Sequence, residues 1–177
     1  MPVIPFNDKH PKIGSNVFIA PDAWVIGDVE IGDNVSIFFG SVLRGDILPI
    51  RVGNGTNIQE HSMLHTSHDL TPCLVGSDVT VGHRVILHGC AVEDGALIGM
   101  GATVLDGAKI GRQGVVAAQS LVPMNMQVPE LTLVAGIPAK VKKEINSELL
   151  KANKLGVEHY KEVGLHYAGY FGSKKFA

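Results

Sequence analysis

An aliphatic residue returns every six positions through most of this chain of 177 residues. From Ile13 the series reads Ile13, Ile19, Val25, Ile31, Ile37 and Leu43, then Val52, Ile58 and Leu64, then Val75, Val81 and Leu87, and finally Val92, Ile98, Val104, Ile110, Val116, Val122, Val128 and Val134. Neither the 3.6-residue period of a helix nor the two-residue alternation of a strand produces this spacing. The position after many rungs is glycine or alanine, as at Gly14, Ala20, Gly82 and Gly99, and the fifth place is mostly small or β-branched. A short fixed repeat is the signature of a solenoid, and a hexapeptide period is that of a parallel β-helix whose coil closes after three short sides. The aliphatic rungs fill the inside, and small residues occupy corners where a bulky side chain would clash.

This pattern resembles the left-handed triangular β-helix of the hexapeptide-repeat proteins, and its handedness is taken from that resemblance. Three irregularities interrupt the ladder: three extra residues between Leu43 and Val52, five extra between Leu64 and Val75, and one fewer between Leu87 and Val92. Loops that interrupt a solenoid often carry its function, and the longest, Thr66–Cys73, begins at His65. After Val134 the repeat stops at Gly136-Ile137-Pro138-Ala139-Lys140. From about Asn146 to Phe171 the composition predicts a helix, capped by Asn146 or Ser147, broken near Gly164, and carrying an apolar stripe of Ile145, Leu149, Ala152 and Leu155. The expected class is all-β with a C-terminal α-helix: residues 1–140 form the solenoid with a short lead-in, and residues 141–177 a helix packed along it.

The hydrophobic content of 45% suits one soluble domain with a continuous core. A net charge of −2 without a basic tract argues against nucleic acid and favours a small-molecule partner. No stretch approaches a membrane span, and the start lacks the layout of a secretory signal, so the expectation is a cytoplasmic protein. Cys73 and Cys90 are too few for a disulfide framework and lack a metal-ligand spacing, so both are expected to be reduced.

Counting three sides per coil places Leu43, Leu64, Leu87 and Val104 on one side, with Arg44, His65, His88 and Leu105 as the outward column beside them. Adjacent strands lie about 4.7–4.9 Å apart, so His65 and His88 are expected as stacked neighbours able to share one divalent ion. The same count puts His83 on a different side, in a column with Phe39, Glu60 and Met100. A third ligand should then come from a neighbouring subunit, and a contact repeated all round closes as a cyclic trimer. Three neutral imidazoles with an open fourth position form the ligand set of a catalytic zinc site, which acidifies bound water. Any one of these histidines alone reads as a polar surface residue; all three beside Arg44, Asp46 and Gln59 read as a metal site.

Arg44-Gly45-Asp46, then Asn57-Ile58-Gln59-Glu60, then His65, His83 and His88, in this order, resemble the signature of the γ-class carbonic anhydrases and their bacterial relatives. The resemblance covers nearly the whole chain, and it implies a homotrimer in which His65 and His88 of one subunit and His83 of the next hold Zn2+, or Fe2+ or Co2+ in some relatives. The implied reaction is reversible hydration of carbon dioxide to bicarbonate by metal-bound hydroxide. Gln59 matches the glutamine that positions the water, Asn57 a residue that orients it, and Arg44 with Asp46 an intersubunit ion pair. Tyr160 matches a tyrosine common in the helix of short relatives. Position 60 is Glu where the family usually has Asp, and the coil count lets it accept a hydrogen bond from the His83 ring. Ile47 stands where the best-known active members have a glutamate, which leaves proton export to solvent, buffer, or a group such as His61, His68 or Tyr160. Two other functions are compatible with the scaffold: acyl-CoA thioester hydrolysis or acyl transfer, and metal or iron-chelate binding without turnover.

Overall fold

The structure, a computed structural model, describes residues 3–172. Met1, Pro2 and residues 173–177 of the lead-in and tail lie outside the described residues. Parallel strands, most of them two or three residues long, stack coil upon coil into a triangular prism followed by one α-helix, Ser147–Gly172. The rungs fall in register as the six-residue period requires. On the first side Val25 pairs with Leu43, Leu43 with Leu64, and Leu64 with Leu87, which pairs with Val104. On the third, Ile58 pairs with Val81 and Val81 with Ile98. These rungs are completely buried. Ile13, the first rung, is 39% exposed because it belongs to the outermost coil.

Corners turn tightly enough to place Gly40, His61, Arg84 and Gly101, successive members of one corner column, at φ of 68°, 59°, 58° and 69°. Ser41, Thr56 and Ser62 are buried at other corners and return their hydroxyls to backbone carbonyls of Gln59, Gly76 and Gly82. Polar groups so paired do not weaken the core.

Two of the three interruptions differ from a simple loop. Strand Val42–Val52 runs unbroken through Leu48-Pro49-Ile50-Arg51. It pairs with Trp24–Ile31, where a register shift between Gly27 and Val29 takes up the extra length. Ile50 is fully buried, and Arg51 reaches across to Asp28 (2.8 Å) and Glu30 (3.4 Å). The insertion therefore carries one strand round a corner. The shortened step after Leu87 is a tight corner at Gly89 and Cys90 between strands Ile86–His88 and Ala91–Val92. Only the segment after His65 is a true loop, and its hydroxyls tie it down: Thr66 accepts from the Leu48 amide (3.1 Å), while Thr71 donates to the Gly89 carbonyl.

At the C-terminal end, strand Ala139–Glu144 turns back antiparallel on Thr132–Gly136, so residues 141–144 are strand rather than the start of the helix. Asn146 is the N-cap, its Oδ1 accepting from the Leu149 amide (3.0 Å). The helix is continuous through Gly164, against the expected break. Its buried stripe differs in part from the expected one: Ile145 is buried but Leu155 is 62% exposed, whereas Val157 is buried and Tyr160, Gly164 and Tyr167 face the solenoid. They meet outward-facing aromatics, with Tyr167 stacked on Phe18 at 5.4 Å and Tyr160 edge-on to Phe38 at 5.6 Å. The contact between two aromatic patches decides which face of the helix is buried.

Candidate functional site

The structure divides the candidate residues between two sides of the prism. On the first side, strands Met63–His65 and Ile86–His88 pair with His65 opposite His88. Hydrogen bonding between the strands thus holds the two imidazoles side by side on adjacent coils. His65 Nδ1 lies 3.2 Å from His88 Nε2. The remaining nitrogen of each ring faces a carboxylate: His65 Nε2 meets Asp46 Oδ1 at 3.0 Å, and His88 Nδ1 meets Asp106 Oδ2 at 2.9 Å.

A carboxylate accepts, so those two nitrogens are the protonated ones. The nitrogens left over present lone pairs to each other at 3.2 Å, an arrangement that calls for a positive charge between them. Two zinc–nitrogen bonds of about 2.0–2.1 Å at a tetrahedral angle would set their nitrogens about 3.3 Å apart. The donor set therefore fits a divalent ion.

Arg44 stands above His65 and gives its Nη1 to Asp46 Oδ2, so that this ion pair closes within one chain. Burial pushes the Asp46 carboxyl upward, but the hydrogen bonds from Arg44 and His65 outweigh it and hold the pKa below the usual carboxylate value. For His65, burial dominates over the hydrogen bond to Asp46 and lowers the pKa, which leaves a neutral ring at pH 7 with a lone pair to offer.

Asp106, which sequence reasoning did not single out, lies beneath the corner at Gly89. Its trace in the sequence is faint: an acidic residue one place beyond the outward column of His88.

On the third side, Glu60 Oε2 accepts from His83 Nδ1 at 2.6 Å, as the coil count anticipates, and leaves Nε2 free. Asn57 and Gln59 are buried beside it. Asn57 Nδ2 donates to Thr80 Oγ1 (3.0 Å), and Gln59 Nε2 donates to Asn57 Oδ1 (3.1 Å). Tyr160 joins this group from the helix, its pKa raised by burial first and by the Glu60 charge second. Arg44, Asp46, His65, His88 and Asp106 thus form one group, and Asn57, Gln59, Glu60, His83 and Tyr160 the other. Among the described residues of a single chain, no three potential ligands converge on one point.

The other candidates sit apart. His61 is exposed, its ring lying over Gly40 at a corner, and His68 is exposed in the loop. Cys73 and Cys90 are neighbouring buried thiols; a hydrogen bond with Cys73, then burial, pushes Cys90 well above the ordinary thiol value.

Residues 10–45 match the family model described as bacterial transferase hexapeptide (six repeats). The chain is 47% identical over 146 residues to gamma carbonic anhydrase 2, mitochondrial, of Arabidopsis thaliana, covering 80% of this chain and 52% of that protein. It therefore spans about half the length of the plant relatives it matches. Over 165 residues it is 42% identical to a carbonic anhydrase of Geobacillus kaustophilus, covering 93% of this chain and 90% of that one. Among solved structures, a hexapeptide transferase family protein from Anaplasma phagocytophilum superposes with a TM-score of 0.89 at 38% identity, covering 94% of this chain and 98% of that one.

Proposed function

The chain belongs to the γ carbonic anhydrase family of hexapeptide-repeat proteins, and from that membership we propose that it hydrates carbon dioxide reversibly at a metal centre between protomers of a homotrimer. The observation that carries the reading is the His65–His88 pair, whose unprotonated nitrogens face each other at 3.2 Å while their partners are held by Asp46 and Asp106. His65 and His88 of one protomer and His83 of the next would hold the ion, with Zn2+ the first expectation and Fe2+ or Co2+ the alternatives. A divalent ion held there would supply the Lewis acidity that makes a water acidic near neutral pH.

The rest falls to the chain. Asn57, anchored by Thr80, fixes the Gln59 amide so that its carbonyl oxygen is left to accept from a water in the seam. The Arg44 guanidinium, 40% exposed and paired with Asp46, would donate to a bicarbonate oxygen. By the resemblance Ile47 stands where active relatives carry an acidic group, so export of the proton would fall to solvent, to buffer or to another side chain such as His61 or His68.

The test is stopped-flow hydration of carbon dioxide by protein loaded separately with zinc, cobalt and ferrous iron, with His88→Ala beside it. Activity that follows metal loading and is lost in the variant supports the proposal. A metal-loaded trimer without activity overturns it and turns attention to acyl transfer, the chemistry suggested by the transferase name of the Anaplasma relative.

A further inference from the structure

Asp106 is an expensive residue to keep where it stands. It is 8% exposed, its Oδ2 accepts from His88 Nδ1, and its Oδ1 is buried with no hydrogen-bond partner among the described residues. A buried carboxylate oxygen left unpaired lowers stability, so stability does not explain the residue.

The neighbouring coil is shaped around it. Gly89, at φ +51°, faces the carboxylate, and a β-carbon there would overlap Oδ1. Asp46 divides its charge between Arg44 and His65, whereas among the described residues Asp106 is ion-paired with His88 alone.

We propose that Asp106 is the positioning residue of His88: it holds the ring in the tautomer with hydrogen on Nδ1 and aims Nε2 at the point His65 Nδ1 also faces, while Gly89 supplies the room. A carboxylate behind a ligating imidazole fixes its orientation and raises its basicity. The proposal rests on the metal reading of the site, but its first readout does not.

The experiment uses the full-length assembled protein as wild type, Asp106→Ala and Asp106→Asn. Nitrogen-15 NMR of the histidine rings in metal-free protein reads the tautomer of His88. Hydrogen on Nδ1 is expected in wild type and Asp106→Asn, whose amide oxygen still accepts, and loss of that preference in Asp106→Ala. Cobalt affinity, read from the visible spectrum against a competing chelator, should fall about 10–100-fold in Asp106→Ala and by less in Asp106→Asn.

An unchanged tautomer together with unchanged cobalt affinity in Asp106→Ala overturns the proposal. If that variant does not fold, unchanged cobalt affinity in Asp106→Asn overturns it instead. If wild type takes up no cobalt, the metal reading fails, and the tautomer alone decides the role of Asp106.

Discussion

Gly164 of the C-terminal helix lies so close to Ser36 that a β-carbon on the glycine would overlap the serine Oγ and stand 2.9 Å from its Cβ. Helix and solenoid are in close contact at this point. In a free helix, Gly→Ala would stabilise by up to about 1 kcal/mol. Here the added methyl must displace the contact, at a cost of about 1–3 kcal/mol. Gly164→Ala is therefore expected to lower the urea midpoint, and Ser36→Ala in the same chain to restore part of the loss. A midpoint that rises in the single variant would show that the helix rides away from the solenoid without penalty.

Glu60 and His83 are joined by a 2.6 Å hydrogen bond with the two side chains 34% and 42% exposed. An exposed pair contributes little to stability, about 0–1 kcal/mol, so Glu60→Ala should leave the melting temperature nearly unchanged. Its effect is expected on metal retention, a loss of about 10–100-fold as the His83 ring goes free to rotate. Cobalt titration of the assembled protein measures it, and equal affinity would dismiss Glu60 from the site.

Cys73 and Cys90 are both buried in the core. The hydrogen bond with Cys73, followed by burial, keeps Cys90 protonated far above neutral pH, and a thiol rather than a thiolate is a poor nucleophile. Neither cysteine should react with Ellman's reagent in the native protein at pH 8, and both should react once the chain is unfolded in guanidinium. Fast labelling of the native protein would refute this.

Tyr160 has a pKa raised in the folded state above the ordinary value of 10.0, first by burial and then by Glu60. The folded protein therefore holds this proton where the unfolded chain begins to release it. The sign follows: the contribution to stability is complete below pH 10 and is lost as pH rises through the folded-state pKa. Absorbance at 295 nm should include a late-titrating tyrosine that disappears in Tyr160→Phe, and the variant should lose less stability in alkali. A tyrosine that stays protonated in this range also does not serve as a proton acceptor at pH 7.

The ladder and the stacked histidines were legible because a six-residue period converts position directly into side and height. Register places His65 opposite His88 and Glu60 beneath His83 by arithmetic alone. The same arithmetic could not distinguish a looped insertion from a strand that turns a corner: the surplus residues lie among Asp46, Ile47, Leu48 and Pro49, inside the strand itself, opposite the single Asp28 of the preceding coil. The buried face of the helix was hidden for a related reason. Leu149, Ala152 and Leu155 give a regular stripe, yet the solenoid presents Phe18, Phe38 and Phe39, and the aromatic face of the helix wins the contact. Gly164 read as a helix breaker because its function, close approach to Ser36, belongs to tertiary packing. Asp106 escaped notice because nothing local marks a carboxylate whose partner is a coil away.

The level at which the two imidazoles meet is inherited from the backbone ladder, while the acids behind them set their aim. A pair of histidines moved together one storey along the same edge would again stand on adjacent coils. Evolution could slide such a pair along the prism as a bead slides on a rail, with its flanking acids and the neighbouring protomer's ligand to be supplied anew.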